Sequence, residues 1–167
     1  MSRLLKHLSA YGRSRLAWAD SARRITLAAG SDRLNIELDR ASLSGSSNSQ
    51  MVLVPLPGQP SSRYYTIEAR KQDGDYESNL AGDAVIIHRV DTQASPPAFS
   101  VDADVPPANR SNNEGSMFKS GEIWTAPGGA FGVHVKAATP EGSLVSVCGP
   151  KPTGSAPCFA SGVTRLK

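Results

Sequence analysis

The sequence predicts a mostly-β domain, an antiparallel β-sandwich of jelly-roll-like type preceded by one N-terminal helix. Three observations predict this class. About eight short apolar or alternating stretches are separated by turn residues. Glycine (15) and proline (12) are frequent enough to favour short strands over long helices. Helical apolar spacing ends before residue 22, where strand patterns begin. A chain of 167 residues is also long enough for one domain with a substantial hydrophobic core.

The N-terminal helix is predicted over residues 3–17. Leu4, Leu5, Leu8 and Tyr11 recur at spacings of three and four, so they form one apolar stripe on the helix surface. Trp18 is expected to pack beneath this helix.

The clearest strand pattern lies in residues 33–40, where Leu34, Ile36 and Leu38 alternate with polar residues. This alternation predicts a half-buried strand whose three apolar side chains share one dry face. Further strands are predicted at 51–56, 64–70, 84–91, 99–101, 131–137 and 144–147. The intervening segments contain turn residues such as the serines of 42–49 and the Asp-Gly pair at 73–74.

Charge and hydropathy exclude several classes of protein. The net charge is +3, and the excess of basic over acidic residues lies mainly in an N-terminal segment whose apolar residues have helical spacing. This arrangement is typical of a solvated helix face rather than of a nucleic-acid binder. No stretch approaches the ~20 apolar residues that cross a bilayer, so we expect no membrane partner. The first residues also lack the apolar core of a signal peptide.

No motif in the sequence carries a complete set of catalytic or metal-ligating residues. There is no Gly-x-Ser-x-Gly elbow, and His7, His88 and His134 do not have the spacing of a His-Glu-x-x-His zinc site. Each histidine is therefore interpreted as structural. Asp102 and Asp104, in a loop rich in hard oxygen donors, are weak calcium candidates, and a solvated acidic loop is the alternative.

Glu68 is the carboxylate that stands out, because it interrupts a strand otherwise suited to the interior of a sheet. Arg70 follows two positions later and shares its face of the strand, so the pair predicts a buried ion pair. No base, acid or nucleophile accompanies Glu68 in the sequence, and a catalytic role is not predicted.

The only two cysteines, Cys148 and Cys158, flank a loop rich in glycine and proline. In an oxidising compartment they would close a small disulfide loop worth roughly 2.5–3 kcal/mol on the chain-entropy model. Free thiols are the alternative, and the spacing fits no zinc motif.

Several segments, taken in order, resemble immune-inhibitor-A-like secreted metallopeptidases. They are HLSAY at 7–11 with LAW at 16–18, YYTIEAR at 64–70, LAGDAVIIHRVD at 80–91, and GEIW at 121–124 before the strand at 133–137. Ala17 departs from the family, which usually has glycine there. The family's zinc helix, third ligand and methionine turn precede the region resembled, so no zinc ligand or catalytic base transfers to this chain.

The resemblance implies the region that follows the active site of such an enzyme. Residues 1–20 would be a helix from the end of the catalytic domain, 21–147 a β-sandwich domain and 148–167 a loosely attached tail. The expected role is a non-catalytic scaffold or substrate-positioning domain of a secreted zinc metalloprotease. Its partners would be the missing catalytic domain, which would hold the zinc, and a protein substrate.

A free-standing carbohydrate- or protein-binding sandwich module is the alternative function. Aromatic side chains exposed in a row on a concave sheet would favour sugar stacking, and buried ones would favour the scaffold. The aromatic residues that discriminate are Tyr64, Tyr65, Tyr76 and Trp124.

Overall fold

The structure is a computed structural model that describes residues 8–78, 80–103, 114–150 and 159. This part of the chain is mostly β, as predicted, with two short helices, α1 (Ala10–Arg15) and α2 (Gly74–Glu77). The described strands are β1 (Arg24–Thr26), β2 (Asp32–Asp39), β3 (Met51–Pro55), β4 (Arg63–Arg70), β5 (Ala84–Asp91), β6 (Ala98–Ser100), β7 (Ile123–Thr125), β8 (Gly132–Ala138) and β9 (Gly142–Cys148).

These strands form two sheets. The five-stranded sheet has the order β1-β3-β4-β5-β6, and the four-stranded sheet has the order β2-β9-β8-β7. Neighbouring strands are antiparallel except for β1 and β3, which run parallel with Arg24 opposite Met51. The predicted antiparallel pairing is therefore confirmed for all but one pair of strands in the described residues.

Each strand predicted from alternation is present, with its ends displaced by at most two residues. The strands β1 and β7 and the helix α2 were not predicted from the residue pattern, because elements of three or four residues are too short to display a period. The predicted helix over 3–17 is observed as α1 alone, and residues 1–7 lie outside the described part.

The prediction that Leu34 shares the dry face of β2 is wrong. Leu34 is 67% exposed, whereas Ile36 and Leu38 are buried. The pairing of β2 with β9 shifts register between Arg33 and Ile36, and Asn35 lies there at φ +55. Such a bulge interrupts the regular alternation of side chains between the two faces, so Leu34 faces solvent.

One cluster of buried apolar side chains combines residues of both sheets. Tyr65 of β4 contacts Trp124 of β7 at a ring-centroid distance of 5.8 Å and Phe131 at 5.0 Å. The aliphatic members include Val52, Val54, Ile67, Val85 and Ile87 of the five-stranded sheet and Ile36, Leu38, Val133, Val135, Val145 and Val147 of the other. Burying each such side chain contributes roughly 1.5–3 kcal/mol, so this shared core is the main source of stability.

The five-stranded sheet is also covered on its other side, which we call the outer face. Because side chains alternate along a strand, Tyr65 and Ile67 point into the shared core, whereas Tyr64, Thr66 and Glu68 point to the outer face. Helix α1 covers part of that face, where Ala10 packs in a small buried cluster with Ala41 and Met51. The outer face of β4 is therefore buried as well.

Candidate functional site

A buried charged cluster occupies the outer face where β4 and α2 meet. Glu68 and Glu77 are each 1% exposed, and Arg70 is buried between them. The guanidinium of Arg70 donates from Nε to Oε2 of Glu77 at 2.9 Å and from Nη2 to Oε1 at 2.5 Å, a bidentate pair. Its Nη1 lies 3.4 Å from Oε1 of Glu68, which confirms the predicted pairing of Glu68 with Arg70.

The sequence did not reveal Glu77 as a member of this cluster. Glu77 is the last residue of α2, a helix within a segment predicted only as a turn. Burial of two carboxylates requires compensation, since removing a charge from water costs several kcal/mol. Desolvation works to lower the pKa of Arg70, but the two carboxylates outweigh it, so the pKa lies above its ordinary value and the guanidinium stays charged.

Glu68 also holds the N-terminal helix. Its Oε2 accepts a hydrogen bond from the backbone N–H of Ala10, at the first position of α1. The first amides of a helix have no partner inside the helix, so a buried carboxylate is a favourable acceptor for one of them. The hydroxyl of Ser9 accepts a second bond from the N–H of Gly12 at 3.2 Å.

His88 lies on β5 beside this cluster, with Thr66 directly opposite it on β4. Its Nδ1 lies 4.0 Å from Oε1 of Glu68 and is buried without a hydrogen-bond partner in the described part of the chain. Burial lowers the pKa of His88, Glu68 opposes that shift and Arg70 adds to it. The imidazole is therefore neutral near pH 7, and its structural interpretation remains a prediction.

A cavity of about 250 Å³ opens beside the charged cluster. It is lined by Glu68, Arg70 and His88 together with Ser100, Ser116, Met117 and small or aliphatic residues of 80–86. Ser100 lies opposite His88 in the pairing of β5 with β6, so the fold brings together a serine, a histidine and a glutamate.

These three residues are not joined as a catalytic triad in the described structure. No hydrogen bond links Ser100 to His88 among the described contacts, and Glu68 is engaged by Arg70 and the amide of Ala10. A triad requires hydrogen-bond contacts of about 2.6–3.2 Å between successive members. The cluster accordingly holds α1 and α2 on the sheet.

The segment around α1 exposes apolar surface. Leu8 is 44% exposed, Leu16 is 50% exposed and Trp18 is 66% exposed, while Tyr11 is buried. The expectation that Trp18 packs beneath the helix is therefore wrong. The chain turns at Ala17, which has φ +56, and the indole is left in solvent.

The aromatic residues singled out for sugar stacking are mostly buried. Trp124 and Tyr65 lie in the shared core, at 6% and 8% exposure. Tyr64 is half-buried, with its ring 6.5 Å from that of Tyr11. The side chain of Tyr76 lies outside the described part.

The remaining candidate residues are scattered. His134 is on β8, and its ring centroid lies 5.7 Å from that of Phe159. It belongs to the four-stranded sheet, whereas His88 belongs to the five-stranded sheet. His7 and Asp104 lie outside the described residues, so the calcium interpretation of Asp102 and Asp104 stays a prediction. No group of three or more metal-ligating side chains is present in the described ranges.

Cys148, at the end of β9, is disulfide-bonded. The sequence contains one other cysteine, Cys158, which lies outside the described residues. The alternative of a free thiol at Cys148 therefore does not hold in this structure.

Comparison with known proteins does not identify the chain: no protein-family model, no curated protein and no solved structure matches it. Among the described residues, no helix is both long and apolar enough to span a bilayer.

Proposed function

We propose that this chain is a non-catalytic β-sandwich scaffold that docks against a partner protein domain through the surface of residues 8–18. The observation that carries the proposal is the distribution of exposed apolar side chains. Five large ones are exposed in the described residues, and three of them, Leu8, Leu16 and Trp18, belong to this short segment. Concentrated apolar exposure is typical of an interaction surface.

The segment is held firmly enough to act as a docking element. Six residues of isolated helix are unstable in water, so α1 depends on its contacts with the sheet. Glu68 binds its first amide, and Arg13 donates from Nη1 to the carbonyl oxygen of Ala41 at 2.5 Å. Leu16 and Trp18 therefore project from an anchored base, which limits the entropy lost on binding.

We propose as the partner the catalytic domain of a secreted zinc metallopeptidase of the immune-inhibitor-A-like kind. This part rests on the sequence resemblance, in which residues 1–20 correspond to the end of the catalytic domain. The zinc and the catalytic base would belong to that partner, and this chain would support it and position protein substrate.

The carbohydrate-binding alternative has less support from the aromatic residues. A sugar stacks on an exposed ring, and the rings of Trp124 and Tyr65 are buried in the core cluster to which both sheets contribute. Tyr64 is half-buried, with its ring beside that of Tyr11. The described members of this set therefore do not form a row of exposed rings on which a sugar could stack.

The experiment mixes the purified chain with a recombinant catalytic domain of an immune-inhibitor-A-like metallopeptidase and measures binding by calorimetry. We expect a saturable complex that the double variant Leu16→Ser, Trp18→Ser weakens at least tenfold, since each buried apolar side chain contributes roughly 1.5–3 kcal/mol. The matched control is Leu34→Ser, which removes from β2 a leucine that is more exposed than Leu16.

Two results would overturn the proposal. Equal weakening by Leu34→Ser would show that the segment 8–18 has no special role. Chelator-sensitive cleavage of casein by the chain alone would show that it is an enzyme itself.

A further inference from the structure

A polar cleft of about 220 Å³ lies between α1 and the outer face of the five-stranded sheet. Arg24 lies opposite Met51 in register, and Met51 packs with Ala10 of α1. Leu53 lies opposite Thr66 in the same way, and directly opposite side chains share a face of a sheet. The strand residues of the cleft therefore all lie on the face that α1 covers. The residues that line the cleft are Tyr11, Ser14, Arg15, Arg24, Met51, Leu53, Tyr64 and Thr66.

The cleft carries two positive charges that no carboxylate neutralises. Arg15 and Arg24 are exposed and pair with no carboxylate in the described part of the chain. No aspartate or glutamate is among the described residues that line the cleft. Burial is the main cause that raises the pKa of the Tyr64 phenol, and Tyr11 adds to the rise, whereas the charges of Arg15 and Arg24 oppose it. Both guanidinium groups therefore act on the space around one phenol.

Four hydroxyl groups surround these charges, those of Tyr11, Ser14, Tyr64 and Thr66. The hydrogen of a hydroxyl rotates to suit an acceptor, so each of the four can donate to an anion. Thr66 is 1% exposed, and its Oγ1 has no hydrogen-bond partner among the described residues. Buried polar groups are normally hydrogen-bonded, and an oxygen atom of a ligand would supply the partner that Thr66 lacks.

We propose that this cleft binds a phosphate group, either as free inorganic phosphate or as a small phosphate monoester. A phosphate monoester carries a charge of about −1.5 to −2 at pH 7, which two guanidinium groups neutralise. Its terminal oxygens accept several hydrogen bonds at once, and a planar guanidinium group donates to them in pairs. A carboxylate carries a single negative charge and would leave one guanidinium group and several hydroxyl donors unmatched.

An adjoining cleft of about 260 Å³ has room for the organic part of a monoester. It shares Ser14 and Arg24 with the first cleft. Asp20 lines this second cleft, and its carboxylate would repel a phosphate there. Arg13 and Arg23 line it too, but both already donate to backbone carbonyl oxygens. The phosphate therefore belongs in the first cleft, and an uncharged polar group suits the second.

This site is independent of the partner proposed for the surface of residues 8–18. Arg24 and Thr66 lie on the sheet, outside that segment, and their substitution leaves Leu16 and Trp18 intact. Binding of phosphate and binding of a catalytic domain are therefore lost through different variants, and each can fail without the other.

The test measures binding of inorganic phosphate and of glycerol 3-phosphate to the full chain by isothermal titration calorimetry in a phosphate-free buffer. We expect one saturable site per chain, which Arg15→Gln and Arg24→Gln each weaken about tenfold, because hydrogen bonds to charged groups are the strong ones. Thr66→Val, which keeps the shape of the side chain, should weaken binding about threefold. The matched control is Arg33→Gln, which removes an exposed arginine from β2 of the other sheet and should leave binding unchanged.

Thermal unfolding separates lost binding from lost folding. Phosphate should raise the melting temperature of the unmodified chain and of Arg33→Gln, since a ligand that binds only the folded state stabilises it. The double variant Arg15→Gln, Arg24→Gln should lose this rise and keep its ligand-free melting temperature. Tighter binding of glycerol 3-phosphate than of inorganic phosphate would identify a small phosphorylated molecule as the ligand, and equal affinity would identify free phosphate.

Four outcomes would overturn the inference. They are the absence of saturable binding of either phosphate compound, equal weakening by Arg33→Gln, binding of acetate as tightly as of phosphate, and tighter binding of single-stranded oligothymidylate with the same dependence on Arg15 and Arg24.

Discussion

The backbone N–H of Ala10, at the start of α1, donates a hydrogen bond to Oε2 of Glu68 on β4, across 58 positions of sequence. The same carboxylate binds Arg70 through its other oxygen. One buried side chain therefore ties the N-terminal helix to the charged cluster of the sheet, and the exposed surface of residues 8–18 depends on it.

Glu68→Ala is expected to loosen α1. The substitution leaves the amide of Ala10 without an acceptor, which costs about 1–3 kcal/mol of unfolding free energy. Hydrogen exchange should accelerate in α1 more than in β8 and β9. The control is Glu37→Ala, an exposed glutamate of β2, which should change stability by less than about 0.5 kcal/mol. Unchanged exchange in α1 would contradict the anchoring role.

Arg70→Met is expected to destabilise the whole domain. It leaves Glu68 and Glu77 as two buried carboxylates without their cation, and breaking a buried pair typically costs about 3–5 kcal/mol. Arg70→Lys should recover part of that loss, since a single ammonium cannot reproduce the bidentate bonds. Urea denaturation measures both, with Arg33→Met as the exposed control. An equal effect of the two methionine variants would refute the structural role.

Stability is expected to fall as the pH drops below about 6.5, the ordinary pKa of histidine. Burial lowers the pKa of His88 in the folded chain, so the unfolded chain takes up its proton first and acid favours unfolding. The contribution is fully present above that pH and is lost below it. Glu68 and Arg70 are the charged groups facing His88.

His88→Gln should therefore flatten the decline in melting temperature between neutral and mildly acidic pH. His134→Gln serves as the comparison, because the pKa of His134 is also lowered by burial and by Lys136, but its ring is much less buried. A steeper pH dependence in His88→Gln than in the unmodified chain would contradict this assignment.

Gly142→Ala is expected to disrupt the pairing of β2 with β9. A Cβ at Gly142 would overlap the carbonyl oxygen of Leu38, which is backbone and cannot move aside as a side chain can. We expect a loss of about 3 kcal/mol or more in unfolding free energy, the upper range for overpacking. Gly45→Ala is the matched control, since a Cβ there meets nothing within 4 Å. Equal stability of the two variants would contradict the close approach.

Alternation along the chain was enough to predict most strands and one part of the charged cluster. Glu68 and Arg70 lie two positions apart, so a single strand places both on one face, whatever the rest of the fold. Glu77 and the amide of Ala10 come from other segments, and no local spacing connects them to β4. Leu34 was assigned to the wrong face because the bulge at Asn35 is a feature of the pairing with β9.

The sequence by itself determined that the chain is mostly β, where its longer strands lie and which carboxylate and guanidinium share a face of β4. Those properties follow from steric preferences and from side-chain alternation, which act over a few residues. The tertiary structure decided that Glu68 holds the start of α1, that Glu77 pairs with Arg70 and that Trp18 is exposed. Such relationships depend on which segments pack together, and packing is set by burial across the whole chain.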